Sequence, residues 1–446
     1  MSRASAAGGA ERCGKPATRE GAKETGQRNG AGMSDRANRG MQTVEPRREC
    51  PMSRPSIAAT DNASERPVWL AVAATTCLNL PLGSLYAYSM FLQPLEQLLG
   101  LSRAALSFVF ALSTIGFSVG MVAAPSCFGL ASPVLLVALC AGVSAAGIAI
   151  AGAASGLGAL IVGYGILFGL GGGASYILFQ QGVNLLLRRR SGLVNGYLVS
   201  LYPLGAMIAA PLFGLSIGRW GVRVTLFGLA ATLALTGLAA CLLVAAAGMR
   251  VRAPGQAAAR RQRMGRLLAF SQLSVVFLLA AAAGLTVLSQ AAGIVLAYGG
   301  TAAGALAATT LITAAVAAAR LGGGWLCDTL AVPHVMALAH ATALAGAGLL
   351  VLWPSVAVAV PALALIGAGA GLVSGATAAA VATYWPVALY GVVASRVYIA
   401  WGAAAVTLPV LAGHLYDVTG GYGTAVLIAG GGNLVGLLLS LLLPRR

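Results

Sequence analysis

Hydrophobic residues dominate the chain from Val68 onward, in long runs that short polar breaks separate. In a helix, about 20 apolar residues are needed to cross ~30 Å of hydrocarbon. Glycine, proline, serine and arginine cluster in the breaks, as in GLSRA (100–104) and RRRSG (188–192). The pattern predicts an all-α membrane protein with twelve transmembrane helices. The runs lie at roughly 68–92, 104–125, 132–153, 157–186, 192–217, 222–248, 267–291, 302–326, 332–353, 355–383, 390–415 and 421–443.

The first 66 residues differ from the rest of the chain. They hold 12 Lys/Arg and 8 Asp/Glu, are rich in Gly, Ala and Ser, and contain no apolar run. A secretory signal needs an apolar core and a transit peptide is poor in acids, so neither fits. A segment of this composition buries too little apolar surface to fold alone. We expect residues 1–66 to form a disordered cytoplasmic tail.

The composition excludes a water-facing surface for most of the chain. Of 446 residues, 58% are hydrophobic and 9% are charged, whereas soluble domains are about 25% charged. A net charge of +17 would suggest nucleic acid if the protein were soluble. Here the 16 arginines after residue 66 lie mostly between apolar runs, as in loops that face anionic lipid. We therefore expect membrane lipid, and no nucleic acid, as a partner.

The arginines also indicate the orientation of the spans. Twelve of those after residue 66 fall on the side that holds both termini, against Arg103, Arg219 and Arg223 on the other side. Cytoplasmic loops carry the excess of Lys and Arg. We therefore expect a multi-pass protein of the cell inner (plasma) membrane with both termini in the cytoplasm.

The two halves of the membrane region resemble each other. FGLGGGASY (168–176) matches IGAGAGLVS (366–374) at an offset of 198, and GLSIGRWG (214–221) matches GHLYDVTG (413–420) at an offset of 199. A skeleton shared half a domain apart indicates two six-helix pseudo-repeats, which usually place a substrate between them near mid-membrane. The expected parts are an N-terminal half at 67–248, a cytoplasmic linker at 249–266 and a C-terminal half at 267–446.

Motifs for a metal or a bound cofactor are missing from the sequence. The seven cysteines show no CxxC spacing and fit small buried hydrophobes. The glycines of GLGGG (169–173) lack the preceding strand of a dinucleotide site, so they are interpreted as helix-packing residues. No GxxxxGK[ST] motif is present, which excludes an intrinsic ATP-driven pump. We expect neither metal nor cofactor.

One arginine lies inside an apolar run, TTLITAAVAAARLGGGWLCDTL at 309–330. An ionisable group within a span is costly and needs a partner. Arg320 therefore either binds the negative charge of a substrate or snorkels its head to the membrane surface. Gly324 and Asp328, at the end of the same run, suit a gating contact in which the carboxylate docks on a neighbouring helix N-terminus. The equivalent stretch of the first half, PSCFGLASP (125–133), carries no charge.

With G-x-x-x-D after span eight, this double repeat resembles the major facilitator superfamily. The resemblance implies a monomer that moves a small carboxylate by alternating access, with the anion held by Arg320, eight residues before Asp328. Several stretches are similar to the oxalate/formate antiporter and monocarboxylate-type branch, namely GSLYAYSMFLQPL (83–95), GLGGGASY (169–176), RRRSGLVNG (188–196), ARLGGGWLCD (319–328), YIAWG (398–402) and PVLAGHLYDVTG (409–420).

The resemblance also implies an aromatic lining of the site from spans one, four and five. Tyr86 or Tyr88, Tyr176 and Tyr202 stand at comparable places. Dicarboxylate exchangers of the branch have a lysine in an A-K-G context on span eleven, where this chain has Trp401 between Ala and Gly. We expect Trp401 to shape the pocket. Judged without the resemblance, a tyrosine in a span also suits the interface belt or packing.

The charge of the site indicates the cargo. One guanidinium grips one carboxylate bidentately, and a dianion would leave a costly net charge. We therefore expect a small organic anion, a monocarboxylate above all. No Asp or Glu lies at mid-span, which favours exchange or uniport over proton symport.

Two other functions stay open at this point. A multidrug or other small-solute exporter of the same fold would need an acid in the cavity for cationic drugs, and none is visible. An intramembrane enzyme would need a catalytic pair at membrane depth, and the sequence offers only the isolated His340. We expect a transporter and not an enzyme.

Overall fold

The computed structural model describes residues 57–251 and 266–445. Most of the expected tail (1–66) and of the expected linker (249–266) lies outside these residues, so both expectations stay predictions. The first helix begins at Ile57, and its membrane-crossing part begins at Arg66. Residues 57–65 belong to the same helix and precede its membrane-crossing part.

The described part of the first half contains seven α-helices. A 3₁₀ turn, Gly83–Ala87, joins the first two, and a π-helix, Ile161–Phe168, joins the fifth to the sixth. The seventh runs for 56 residues and bends at Gly221, whose φ of 81° lies outside the helical region. The helices are α1 (Ile57–Leu82), α2 (Ser89–Leu99), α3 (Arg103–Cys127), α4 (Pro133–Gly152), α5 (Leu157–Leu160), α6 (Gly169–Leu186) and α7 (Gly192–Ala247).

The second half contains eight α-helices among the described residues. A short 3₁₀ turn, Val387–Leu389, precedes the fifth of them. The helices are α8 (Leu267–Ala297), α9 (Ala302–Thr329), α10 (Val332–Leu352), α11 (Val356–Tyr384), α12 (Tyr390–Val397), α13 (Ile399–Ala405), α14 (Leu408–Thr419) and α15 (Gly423–Leu441).

Twelve spans result from these helices. Among the described residues, eleven continuous helical stretches are long and apolar enough to cross a bilayer. One of them is α7, which holds two spans on either side of Gly221. Six spans therefore precede the segment 252–265 and six follow it. The prediction of an all-α membrane protein with twelve transmembrane helices is confirmed.

Span eleven differs from its prediction as one unbroken helix over 390–415. The structure divides it into α12, α13 and α14, with breaks at Tyr398 and at Val406 and Thr407. Proline carries no backbone N–H, so Pro409 cannot donate to the carbonyl of Ala405 and the helix restarts there. The breaks place the short helix α13, which carries Trp401, against α3 and α8.

Glycines set how closely the helices approach each other within the first half. A Cβ on Gly173 of α6 would fall on the carbonyl oxygen of Phe117 in α3, and one on Gly205 of α7 would fall on the carbonyl oxygen of Leu80 in α1. In lipid, helices associate largely through such close packing of small residues. The glycine-rich stretch in span four is therefore a packing surface, as the sequence analysis interpreted it.

The two halves meet where α7 crosses α9 and α11. Gly192 and Gly196 of α7 face Gly324 of α9 so closely that a Cβ on Gly324 would fall on the carbonyl oxygen of Gly192. We call this end of the bundle, which also holds Asp328, the Asp328 end.

The opposite end holds the connection between α2 and α3, and we call it the Glu96 end. There the Arg103 guanidinium donates two hydrogen bonds of 2.9 Å to the Glu96 carboxylate. These bonds hold the pKa of the Glu96 carboxyl below its usual range.

We predict that Gly173→Ala destabilises the bundle, because the new methyl group must push α3 away from α6. Overpacking of this kind costs about 1–3 kcal/mol. Gly142→Ala is the matched control, since Gly142 lies within α4 with no atom near its Cβ direction. Thermal unfolding in detergent should show a lower midpoint for Gly173→Ala and an unchanged or higher midpoint for Gly142→Ala. Equal midpoints in the two variants would contradict the assignment.

Candidate functional site

Arg320 lies on α9 at the interface between the halves, and its side chain is 9% exposed. Its Nη1 donates a hydrogen bond of 3.0 Å to the carbonyl of Val199 on α7. Its Nε is buried without a hydrogen-bond partner. Within the described part of the chain, no carboxylate forms a salt bridge with Arg320. A snorkelling arginine would extend toward the bilayer surface instead, so this placement argues against that alternative.

Three glycines let α9 pass this deep inside the bundle. A Cβ on Gly375 of α11 would fall on the carbonyl oxygen of Arg320, and one on Gly371 would lie 3.3 Å from its backbone N. On the other side, a Cβ on Gly196 of α7 would lie 2.8 Å from the Arg320 carbonyl oxygen. The backbone at Arg320 is thus clasped between α7 and α11. This packing leaves the side chain directed along the interface.

A small cavity of about 20 Å³ opens beside the guanidinium. Its walls come from α8, α9, α11 and α13, and Arg320 and Ser374 provide the polar side chains. The remaining lining is apolar or aromatic, with Phe277 and Trp401 as the largest groups. A cavity of this size holds about one water molecule. The cavity is therefore too small for an organic molecule in this arrangement.

Aromatic rings from both halves pack together next to Arg320. Tyr86 lies with its ring centroid 5.8 Å from that of Trp401 and 6.2 Å from that of Tyr202. Tyr176 lies 5.2 Å from Tyr202. The Tyr86 hydroxyl lies within hydrogen-bonding reach of the Arg320 guanidinium, and Tyr176 lies near the same guanidinium. Four of the sequence-predicted aromatic residues are therefore brought into one cluster with the arginine.

Tyr88, the alternative to Tyr86, lies apart from this cluster. Its ring lies 5.6 Å from Phe110 and 4.6 Å from Tyr164, centroid to centroid. Its hydroxyl donates to the carbonyl of Leu106 at 3.0 Å. Residues two apart on a helix point in different directions, so positions 86 and 88 face different neighbours. Of the two alternatives, the structure brings Tyr86 and not Tyr88 into the cluster beside Arg320.

The hydroxyl of Tyr202 is already engaged within the first half. It donates a hydrogen bond of 2.9 Å to the carbonyl of Gly172 on α6. The ring, not the hydroxyl, is what Tyr202 presents to the cluster.

The cluster contains three further aromatic residues that were not predicted from the sequence. Phe117 packs against Tyr176, Tyr202 and Trp401 at centroid distances of 5.6, 5.2 and 5.9 Å. Tyr398 and Phe277 extend the cluster on the side of the second half. Tyr398 belongs to the YIAWG stretch and so had a sequence signal. Phe117 and Phe277 are single phenylalanines in apolar runs and had none.

At the Asp328 end, the carboxylate of Asp328 accepts two backbone hydrogen bonds from the other half. Oδ1 accepts from the N–H of Gly192 at 2.6 Å, and Oδ2 accepts from the N–H of Leu193 at 2.9 Å. Both donors belong to the N-terminus of α7, where a negative charge is stabilised. The docking agrees with the geometry expected for Gly324 and Asp328, while their gating role stays a prediction.

Gln181 makes a similar contact in the other direction, from the first half to the second. Gly391, at the start of α12, lies 199 residues after Gly192. Its N–H donates to Gln181 Oε1 at 2.6 Å, and Gln181 Nε2 donates to the carbonyl of Val387 at 3.0 Å. A neutral amide on α6 thus accepts from the N–H that corresponds to that of Gly192, while the stretch 125–133 provides no acid. This contact was not predicted from the sequence.

Comparison with known proteins gives the fold of the chain. No family model and no curated protein matches the sequence. Among solved structures, the major facilitator superfamily transporter FucP in the outward conformation is 16% identical, with a TM-score of 0.66 over 84% of this chain and 99% of that chain. The proton:xylose symporter XylE bound to 6-bromo-6-deoxy-D-glucose is 17% identical, with a TM-score of 0.63 over 85% and 96%.

A second FucP structure, a variant of the E. coli fucose:proton symporter, gives a TM-score of 0.64 at 16% identity over 85% of this chain and 99% of that chain. Structural similarity at these low sequence identities establishes the fold alone. The chain has the major facilitator fold, with two six-helix repeats, and this expectation is confirmed. The resemblance to the oxalate/formate and monocarboxylate-type branch stays a prediction.

We predict that Asp328→Ala and Gln181→Ala each loosen the contact between the halves at the Asp328 end. Asp328→Ala should have the larger effect, because it removes two charge-assisted bonds. Paired spin labels, one on each half at that end, would report a larger population of long distances.

Gln290→Ala is the control for that experiment. It removes the hydrogen bond between Gln290 and Tyr422, and both residues lie in the second half. Distance distributions that match the unsubstituted protein in Asp328→Ala and Gln181→Ala would exclude a gating role.

Proposed function

We propose that this chain, which has the major facilitator fold, is a secondary transporter that moves a small monocarboxylate across the inner membrane by alternating access. One observation carries the proposal: the Arg320 guanidinium is buried between the halves with its Nε unpartnered and, among the described residues, no carboxylate bonded to it. A buried charge without a counter-charge is costly. An anionic cargo provides the missing partner.

The number of positive charges in the site limits the charge of the cargo. Arg320 is the one ionised side chain that lines the described cavity. A monocarboxylate neutralises it through two parallel N–H···O bonds. A dicarboxylate would add a second negative charge to an apolar enclosure, where it would lack a partner. The proposed cargo is therefore a monoanion.

The rest of the lining suits a short apolar tail. Phe277 and Trp401 enclose the cavity on the side of the second half, and the Tyr86 and Tyr176 rings lie across the interface. The hydroxyl of Ser374 is the second polar side chain of the described lining and would orient one further polar atom. A sugar, the cargo named for FucP and XylE, would need several more hydrogen-bond partners than this lining offers.

Alternating access would proceed from the arrangement described above. The halves are held together at the Asp328 end by the bonds of Asp328 and Gln181. In our proposal this end is cytoplasmic, and the cargo enters from the Glu96 end. The halves then rock about the site, and the bonds of Asp328 and Gln181 break to release the cargo. Because the empty carrier holds an uncompensated Arg320, exchange is favoured over net leak.

The alternatives fit the site less well. A cationic drug would be repelled by Arg320, and no acid lines the described cavity. For an enzyme, His340 would need a reactive partner, but its Nδ1 contacts the amide of Asn433 at 2.9 Å. Both groups are buried within the second half. We therefore propose a transporter and not an enzyme.

We predict that Arg320→Gln abolishes exchange of monocarboxylates in liposomes. Loss of a buried ionic partner costs about 3–5 kcal/mol, so affinity should fall by at least about 100-fold. Arg320→Lys should be intermediate, because lysine keeps the charge but lacks the bidentate fork.

Arg219→Gln is the matched control, since Arg219 is an exposed arginine on α7. The assay loads liposomes with a panel of labelled mono- and dicarboxylates, with and without a counter-substrate. All variants should reconstitute to the same density. Normal exchange by Arg320→Gln would refute the assignment of the site.

A further inference from the structure

Pro203 lies inside α7, and it leaves one backbone carbonyl of that helix without its usual partner. In an α-helix the carbonyl of residue i accepts from the N–H of residue i+4. Proline has no N–H, so the carbonyl of Val199 lacks its usual i+4 donor. Val199 is fully buried, and an unpaired buried carbonyl is costly. The helix therefore holds an acceptor that another element must satisfy.

The donor comes from the other half of the protein. Arg320 Nη1 on α9 donates to this carbonyl at 3.0 Å. A guanidinium is planar and presents its N–H groups in a fixed fork. With Nη1 engaged, the edge formed by Nε and Nη2 carries two parallel N–H bonds, which is the pattern that grips a carboxylate. Nε, on this edge, is without a hydrogen-bond partner.

We propose that Pro203 is a positioning residue for the anion site. By freeing the Val199 carbonyl, it fixes Nη1 of Arg320 and leaves the Nε/Nη2 edge available to the carboxylate of the cargo. This inference rests on the proposed function and adds a specific element to it. The site is built from two halves, with the charge on α9 and the group that orients it on α7.

The same bond links the site to the rocking of the halves. It joins α7 to α9 close to where Gly196 faces Gly324, so it persists while the Asp328 end is closed. When that end opens, α7 and α9 separate and the bond to Val199 breaks. The bound carboxylate then becomes the main partner of Arg320. The loaded carrier thereby changes conformation with its charge compensated.

If Pro203 only shaped α7, its substitution would affect the protein differently from the loss of a positioning residue. A proline also bends a helix, and removing it can change packing without any effect on Arg320. The variant Pro211→Ala distinguishes the two roles. Pro211 lies in the same helix and frees the carbonyl of Met207. No arginine contact to that carbonyl is found among the described residues. An ester variant with lactic acid in place of Pro203 separates them further, because it lacks the ring and also lacks an N–H.

The experiment measures binding of labelled short-chain monocarboxylates to the full-length protein in liposomes, for Pro203→Ala, Pro211→Ala and the lactic acid variant. In Pro203→Ala the new N–H competes with Arg320 for Val199, and we expect a dissociation constant about tenfold higher. Pro211→Ala and the lactic acid variant should stay within about twofold of the unsubstituted protein. In exchange assays, KM should rise while the maximal rate changes less.

Two results would overturn the inference while leaving the proposed function intact. One is unchanged affinity in Pro203→Ala. The other is equal loss in Pro203→Ala and the lactic acid variant, which would assign the effect to the ring.

If the unsubstituted protein binds none of the acids, the proposed function fails. In that case, spin-label distances in the protein without substrate still test whether Pro203 controls the bond between Arg320 and Val199. A larger population open at the Asp328 end in Pro203→Ala, but not in Pro211→Ala or the lactic acid variant, supports the Val199 bond. Equal populations in all variants refute it.

Discussion

A guanidinium held away from water between two halves of a membrane protein imposes a strict condition on everything around it. Its charge costs several kcal/mol to bury unless a partner compensates it. In this protein, Arg320 is compensated in part by the carbonyl of Val199 and has no partner at Nε among the described residues. The glycines of α7 and α11 that clasp the backbone of α9, together with the nearby aromatic rings, keep the arginine at this depth.

The contact between α7 and α9 includes both Arg320, the candidate anion-binding residue, and Asp328, the candidate gating residue. Arg320 and Asp328 belong to the same helix and both bond to α7, one to the Val199 carbonyl and the other to the helix N-terminus. Any motion that separates α9 from α7 therefore changes both. Gln181 adds a neutral contact from the first half to the start of α12. A charged contact on one side and a neutral one on the other make the two halves unequal in how they hold the closed end.

Much of the fold followed from hydropathy, because a bilayer requires apolar segments of nearly fixed length. The twelve spans and the docking of Asp328 on a neighbouring helix N-terminus could be predicted from the pattern of residues, whereas two placements of Arg320 remained open. The breaks in span eleven were not, because Tyr398 and Thr407 lie in a run whose hydropathy is continuous. Choosing between Tyr86 and Tyr88 also required the structure, which shows that the ring of Tyr86 is the one that faces Trp401.

The partner of Arg320 was the feature that sequence reasoning was least able to supply. The acceptor is a backbone carbonyl, which has no residue identity, and it lies 121 positions away in the chain. Pro203 was its single sequence signal, and a proline within a span is equally compatible with a simple helix bend. The contact of Gln181 could not be predicted from the sequence either, because it depends on the fold placing α12 beside α6.

The most direct test of the account is a magnetic-resonance distance between a carboxyl-¹³C monocarboxylate and arginine-¹⁵N protein in liposomes. The account predicts dipolar coupling that corresponds to about 3.5–4 Å, as bidentate N–H···O bonds require. That coupling should disappear in Arg320→Gln and remain in Arg219→Gln. A bound acid without coupling to any guanidinium, or with coupling that survives Arg320→Gln, would contradict the account.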